Sequence, residues 1–253
     1  MTTEAPWRRL LAEFLGTALL VTAVVGSGIM ATTLSPNDTG LQLLENSVAT
    51  ALALGALILI FGPVSGAHFN PVVSAADWFL GRRTRSGLTT RELCGYIAAQ
   101  SAGAIGGSIL ANLMFALPAV EWSTKERSAG HLWLGEVVAT AGLILLVFAL
   151  ARAGRSLAAP AAVGAYIGAA YWFTSSTSFA NPAVTLARAF TDTFAGIDPS
   201  SVPAFILAQL GGLLLGVALL LALYPQVDHR ADEVHVQHPS ADEHAAGVAS
   251  QTS

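Results

Sequence analysis

The sequence predicts an all-α membrane protein with six transmembrane helices and two re-entrant half-helices in an inverted repeat. Three observations predict this fold class: the scarcity of charge, the lengths of the apolar segments, and a duplication of short motifs. Of the 253 residues, 53% are hydrophobic and only 11% are charged, whereas a soluble domain has about 25% charged residues. A chain with so little charge cannot cover its surface in water, so the composition indicates a lipid environment.

Six apolar segments reach the length of about 20 residues that a helix needs to cross a bilayer. They are residues 8–31, 41–62, 92–115, 131–151, 158–176 and 203–224. The first continues past Gly28 without a processing site, so we interpret it as a membrane helix and not a signal peptide. Two shorter apolar segments, 70–80 and 181–190, each begin at an Asn-Pro pair and have half the necessary length. Such pieces must be buried in protein or line a water-filled cavity, which predicts two half-helices.

Short motifs recur along the chain in the same order. The matched stretches are AEFLGTALLV (12–21) with GEVVATAGLILLV (135–147), HFNPVVSAADWF (68–79) with FANPAVTLARAF (179–190), and AAQSAGAIGGSIL (98–110) with LAQLGGLLLGVAL (207–219). Each copy holds three spans and one half-helix, and an odd number of spans places the copies in opposite orientations. We expect a channel domain over 8–224, with repeat one at about 8–117 and repeat two at 131–224. A cytoplasmic tail (1–7) precedes it and a disordered cytoplasmic tail (225–253) follows.

Lysine and arginine positions predict the orientation in the membrane. Nine of these residues fall on one side, and the other three, Lys125, Arg127 and Arg188, fall on the other. The excess places both termini in the cytoplasm, which agrees with an even number of spans. We therefore expect a multi-pass protein of the plasma (inner) membrane.

Composition and residue spacing argue against several classes of function. A net charge of −4 does not favour a nucleic-acid partner, and the single cysteine, Cys94, excludes an internal disulfide and a cysteine metal cluster. The spans contain no paired catalytic carboxylates and no nucleophile with a partner base, so we expect no enzyme activity, cofactor or metal. The histidines of the C-terminal tail match no zinc spacing.

The Asn-Pro pairs at Asn70-Pro71 and Asn181-Pro182 are typical of helix starts. Asn caps free N–H groups and Pro at the first helical position costs no hydrogen bond. In an inverted repeat the two half-helices enter from opposite faces, and their N-termini concentrate positive potential near the midplane. Each Asn amide is then free to face a lumen. The non-helical segments that precede the two Asn residues would present carbonyl groups to the same lumen.

These motifs resemble the aquaporin (major intrinsic protein) family, in particular a bacterial aquaglyceroporin-like member that lacks the selectivity-filter arginine. The resemblance rests on SGAHFNPVV (65–73), NPAV (181–184), the helix-borne Glu13 and Glu136, and the Gln100/Gln209 pair, and it covers residues 8–224. It implies a pore in every subunit of a homotetramer in the lipid bilayer. The implied pore-centre motif residues are Asn70, Pro71, Val72, Asn181, Pro182 and Ala183, and the implied pore-lining carbonyls belong to Gly66, Ala67, His68, Thr177, Ser178 and Phe179.

The two buried acids, Glu13 and Glu136, have two interpretations. A carboxylate inside a span is costly and is a candidate for a proton or ion relay. Alternatively, each acid accepts hydrogen bonds from the re-entrant loop of its own repeat, as the family resemblance also implies. One acid at the equivalent position of each repeat favours loop support.

In the family, four positions outside the Asn-Pro centre set selectivity, and one is usually an arginine three residues after the second Asn. Here that residue is Val184. Counting without gaps carries the other three positions onto Thr50, Ala169 and Ser178. This ring has no cation and no aromatic side chain, unless a residue near Ala169 such as Tyr171 intrudes. Arg188, one turn beyond Val184, either supplies a substitute charge, snorkels to a headgroup, or pairs with an acid such as Asp192.

We therefore expect a passive channel with a wide opening for water and small uncharged solutes: polyols like glycerol, urea, or undissociated metalloid acids such as arsenite. Two alternatives remain open. One is a water-selective aquaporin, and the other is an ion-coupled secondary transporter that uses Glu13 and Glu136.

Overall fold

The computed structural model describes residues 5–82 and 86–225, and within these ranges the regular structure is helical. The eight α-helices are α1 (Pro6–Leu34), α2 (Thr39–Ser65), α3 (Pro71–Gly81), α4 (Thr90–Met114), α5 (Gly130–Arg152), α6 (Ala159–Phe173), α7 (Pro182–Ala187) and α8 (Val202–Leu223). Short 3₁₀ helices at Ser156–Ala158, Arg188–Phe190 and Pro199–Ser201 adjoin α6, α7 and α8. The predicted N-terminal tail is shortened because α1 begins at Pro6, and the predicted disordered tail lies outside the described residues from 226 onward.

Every predicted span corresponds to a helix. Within the described ranges, α1, α2, α4, α5 and the helix ending at Leu223 are long and apolar enough to cross a membrane. The remaining one, α6, has 15 residues, or about 22 Å. The 3₁₀ helix before it adds about 6 Å, which brings this element close to the bilayer thickness of about 30 Å.

The two repeats pack in the same way. Helix α1 lies along α4 in repeat one, and α5 lies along α8 in repeat two. Glycines allow the close approach: a Cβ at Gly103 would lie 2.2 Å from the Phe14 carbonyl oxygen, and one at Gly212 would lie 2.7 Å from the Val137 carbonyl oxygen. Gly107 and Gly216 repeat these contacts one turn later, so each repeat joins its first and third spans with the small-residue spacing common in membrane helix pairs.

The half-helices begin where the Asn-Pro pairs predicted, but they differ in length. Helix α3 has 11 residues, whereas α7 has six and tightens into the 3₁₀ helix Arg188–Phe190. Both have proline at the first helical position after an asparagine cap. They meet each other and the long helices α4 and α8, so both lie inside the bundle.

Candidate functional site: a pore between the repeats

A cavity of about 990 Å³, its open mouths included, runs between the two repeats. Its lining includes side chains of α1, α2, α5 and α6 and the segments that lead into α3 and α7. On α6 the lining residues extend from Ala159 to Tyr171, a distance of about 18 Å along the helix. The cavity therefore follows the direction of the spans.

Asn70 and Asn181 face each other at the centre of this cavity, and both line it. The Oδ1 of Asn70 accepts from the Val72 N–H at 3.0 Å, and that of Asn181 accepts from the Ala183 N–H at 3.0 Å. Each side-chain amide then donates across the repeat boundary. Asn70 Nδ2 lies 2.7 Å from the Ala180 oxygen, and Asn181 Nδ2 lies 2.8 Å from the Phe69 oxygen. The remaining amide hydrogens are available to the lumen.

The segments before the two asparagines share an unusual backbone. In repeat one Gly66, Ala67 and Phe69 have positive φ, and in repeat two Thr177, Ser178 and Ala180 do, each 111 residues later. Non-glycine residues avoid this region, so both loops need external support. Of the predicted carbonyl-bearing residues, Gly66, Ala67, His68, Ser178 and Phe179 line the cavity. Thr177 is absent from the lining, and Ala180 lines the cavity in its place.

That support comes from the two buried acids. Glu13 accepts from the His68 N–H at 3.0 Å, the Phe69 N–H at 2.7 Å, the Gln100 amide and the Ser65 hydroxyl. Both acids are 0% exposed and neither lines the cavity.

Glu136 does the same in repeat two. It accepts from the Phe179 and Ala180 N–H groups at 2.8 Å each and from the Gln209 amide at 2.6 Å. These bonds hold both loops in their strained conformations. Donors of the two loops occupy the carboxylate oxygens. This arrangement agrees with the loop-support interpretation and leaves these oxygens unavailable to a coupling ion.

His68 has a packed ring. Its Nδ1 lies 3.0 Å from the Ser74 hydroxyl, and its ring meets the Tyr96 ring edge-on with centroids 5.4 Å apart. The residue is 6% exposed, and its backbone belongs to the loop that Glu13 holds.

Three of the four residues predicted for the selectivity ring line the cavity, and the fourth does not. Thr50, Ser178 and Val184 line the cavity, but Ala169 is exposed on the outside of the bundle. The gap-free count was wrong at Ala169, and Tyr171 lies in the lumen instead, where its hydroxyl is 3.2 Å from the Thr50 hydroxyl.

The spacing of α6 explains this correction. Its lining residues recur every four positions, at 159, 163, 167 and 171. Ala169 is two residues from the nearest of them, which places it about 200° around the helix. Continuing this four-residue spacing from Val163 and Ile167 leads to Tyr171, so the spacing could have identified Tyr171 as a lining residue. An aromatic residue therefore lies beside Thr50 in the cavity, which is the exception that the sequence interpretation had left open for Tyr171.

The position of Arg188 excludes two of the three roles that the sequence left open for it. It is 3% exposed, lines the cavity, and donates from Nε to the Ala195 carbonyl oxygen. It therefore neither snorkels nor pairs with Asp192, whose carboxylate accepts instead from the Thr124 N–H at 2.9 Å. Its guanidinium carbon lies 3.5 Å from the centroid of the Phe179 ring.

Two further cations lie around the same mouth. The guanidinium carbon of Arg127 is 5.0 Å from the Phe179 centroid, and Arg127 does not line the cavity. Lys125 donates to the Phe194 oxygen at 2.9 Å. Desolvation and the neighbouring charges of Arg127 and Arg188 lower the pKa of Lys125 below its ordinary value. Three basic residues therefore lie near this mouth, with the carboxylate of Asp192 also close to Lys125.

With this geometry in place, known proteins give a consistent identification. The family model described as Major intrinsic protein matches residues 1–178. The chain belongs to the major intrinsic protein family. It is 52% identical over 213 residues to aquaglyceroporin AqpS of Rhizobium meliloti (strain 1021), covering 84% of this chain and 88% of that one.

More distant members of the major intrinsic protein family are also similar. A glycerol uptake facilitator protein of Pseudomonas aeruginosa is 32% identical over 260 residues, with 85% of this chain and 90% of that one covered. The X-ray structure of the aquaglyceroporin from Plasmodium falciparum matches with a TM-score of 0.64 at 21% identity, over 91% of this chain and all of that one. The family match ends before Asn181, whereas the alignments to the two relatives and to the solved structure, over 84% to 91% of this chain, extend into repeat two. As a member of this family, the protein is a passive transmembrane channel for water and small uncharged solutes and not an enzyme.

Proposed function

We propose that this channel passes uncharged hydroxylated or amide solutes larger than water, together with water. The class includes polyols such as glycerol, urea, and undissociated metalloid acids such as As(OH)₃. The curated relatives named above are an aquaglyceroporin and a glycerol uptake facilitator, which supports the class. A narrower alternative is a water-selective aquaporin.

The observation that carries the proposal is the two-sided outer constriction. Val184 presents apolar surface, while Thr50 and Tyr171 present hydroxyl groups. A solute with a hydrocarbon or amide backbone and oxygen atoms on one edge fits such a slot on both sides. Water gains nothing from the apolar side, so the slot favours the larger solutes. The short Val184 side chain also leaves room that an arginine at this position would fill.

A flux panel tests this proposal. We expect purified protein in proteoliposomes to accelerate glycerol, urea and As(OH)₃ entry as well as water efflux in stopped-flow measurements. Val184→Arg should reduce the three solutes more than water, because it narrows the slot and removes apolar surface. Val184→Leu is the uncharged control. Equal loss of water and solute fluxes in Val184→Arg, or wild-type flux of water alone, would contradict the proposal and favour the water-selective alternative.

We also propose a location and an assembly: a homotetramer in the plasma (inner) membrane with both termini in the cytoplasm. Arg8, Arg9, Arg82 and Arg152 lie at one end of the helices, and Lys125 and Arg127 lie in the loop at the other end, which supports this orientation. Arg188 no longer counts toward the charge bias because it is buried at the pore. A C-terminal reporter that is active only in the cytoplasm tests the topology, and cross-linking in native membranes tests the assembly. An extracellular reporter signal or a cross-linking ladder that stops at the monomer would contradict the respective proposal.

A further inference from the structure

Arg188 is a buried cation in a channel for uncharged solutes. It follows Val184 by four residues, one turn along the half-helix, at the start of the 3₁₀ helix Arg188–Phe190. It lines the same cavity as Val184, Thr50 and Ser178. Its charge therefore lies in the outer constriction, at a different position from the arginine that Val184 replaces.

Two contacts hold the guanidinium of Arg188, and a third fixes its backbone. Its Nε donates to the Ala195 carbonyl oxygen, and its carbon lies over the face of Phe179. The Ile197 N–H donates to the Arg188 carbonyl oxygen at 3.3 Å, which fixes the backbone of the same residue. A cation over an aromatic face is attracted by the negative ring surface, so the side chain is positioned and not free to swing into solvent.

Within the described part of the chain this charge forms no ion pair, although the buried carboxylate of Glu136 lies near enough to stabilise it electrostatically. No carboxylate there forms an ion pair with Arg188, and its terminal nitrogens have no protein hydrogen-bond partner. A second cation, Arg127, lies against the same aromatic ring of Phe179. Burying an unpaired charge is very costly unless polar groups solvate it, so the terminal nitrogens require water or solute in the lumen.

A second polar group in the same constriction is also without a partner. The Ser178 hydroxyl is buried and makes no hydrogen bond within the protein. Buried polar groups are nearly always satisfied. Arg188 and Ser178 therefore place two groups without protein hydrogen-bond partners in the lining of the same cavity.

We propose that Arg188 is a specificity-determining residue that excludes cations at the outer constriction, taking over the charge absent at Val184. This rests on the channel function proposed above. A fixed positive charge in the lining of the passage raises the energy of a passing cation through direct repulsion. An uncharged solute experiences no such barrier.

The experiment compares ion leak and solute flux in the same proteoliposomes. Arg188→Gln should raise the ratio of Na⁺ leak to water flux in the same vesicles by about tenfold, and Arg188→Lys should retain exclusion. Arg127→Gln is the matched control, because it also removes a cation from the Phe179 ring but not from the lumen. An unchanged ratio in Arg188→Gln, or an equal rise in Arg127→Gln, overturns the proposal.

A measurement on the unmodified protein needs no variant to fold. Under a KCl gradient, the residual leak of the wild-type channel should favour Cl⁻ over K⁺, and a cation-selective leak overturns the proposal. Failure of the channel proposal itself looks different, because then the wild-type protein passes no solute. Val184→Arg in the Arg188→Gln background should restore exclusion by returning a charge to the same ring.

Discussion

The two half-helices occupy equivalent positions in their repeats, but matched residues near their C-terminal ends carry opposite charges. Val73 in α3 and Val184 in α7 both line the cavity, 111 residues apart. Four residues further on, repeat one has Asp77, whose carboxylate accepts from the Leu88 N–H at 2.8 Å and does not line the cavity. Repeat two has Arg188 at that position, buried against the lumen. The duplicated frame therefore supports a structural brace at one mouth and a pore charge at the other.

This comparison separates what the duplication must keep from what it is free to change. The loop-supporting acids, the Asn caps and the interhelical glycines recur at nearly constant offsets because each holds a strained or closely packed element. Positions 77 and 188 are not among these shared supports, so they can diverge. Variants placed at matched positions test this separation.

The largest effect is expected from removing the loop-supporting acids. Glu13→Ala and Glu136→Ala each leave several buried donors without an acceptor, at about 1–3 kcal/mol per donor, so we expect a loss of about 4 kcal/mol or more in each. Glu13→Ala should be the more damaging, because Glu13 accepts from four groups and Glu136 from three. Unfolding midpoints in detergent measure both. A milder effect at Glu13 would show that donor number does not set the cost.

The next effect concerns the interhelical glycines. Gly103→Ala forces a methyl group against a carbonyl oxygen and should cost about 3 kcal/mol. Gly212→Ala should cost less, since the contact is 2.7 Å and not 2.2 Å.

Adjacent glycines provide the controls for this pair. A Cβ at Gly106 meets nothing within 4 Å, and one at Gly211 lies 3.8 Å from its nearest neighbour. Alanine there should be neutral or stabilising by up to about 1 kcal/mol. Equal unfolding midpoints for Gly103→Ala and Gly106→Ala would argue against close packing of α1 and α4.

A smaller effect is expected at the counterpart of Arg188. Asp77→Ala removes the acceptor of the Leu88 N–H and should cost about 1 kcal/mol without changing Na⁺ leak. Thermal unfolding and the leak assay used for Arg188 measure the two outcomes. A rise in leak comparable with that of Arg188→Gln would mean that both mouths contribute to ion exclusion.

The smallest effect distinguishes the two faces of α6. Tyr171→Phe removes one hydroxyl from the cavity lining and should change glycerol flux by about twofold, since water in the lumen can replace the lost bond and only about 0.5 kcal/mol is at stake. Ala169→Val, on the outer face, should leave every flux unchanged. Altered selectivity in Ala169→Val would place that residue in the pore after all.

The sequence predicted the features that depend on local chemistry. Asn followed by Pro specifies a helix start wherever it occurs, and matched copies of Glu13 and Gln100 indicate a duplicated support. The gap-free count along the repeats selected Ala169 and not Tyr171, because it assumes that the loop between helix and asparagine has the same length in both repeats. Four residues separate the end of α2 from Asn70, whereas seven residues separate the end of α6 from Asn181.

Arg188 shows a second reason why sequence alone was insufficient. Its role depends on Ala195 and Phe179, which approach it only after the chain has folded back. A buried arginine, a lipid-facing arginine and an ion-paired arginine have the same spacing from Val184 in the sequence. The choice among them is a property of tertiary contacts, which no local pattern records.

The crossed amide bonds at the pore centre have a consequence for how this channel can open and close. Asn70 is tied to the loop of repeat two and Asn181 to the loop of repeat one, so neither loop can move without breaking a bond that belongs to its partner. The two repeats are therefore joined at the midplane by a reciprocal pair of hydrogen bonds, and widening the pore there would require both bonds to break together. Any control of flux in a working channel therefore belongs at the two mouths, where the repeats are free to differ.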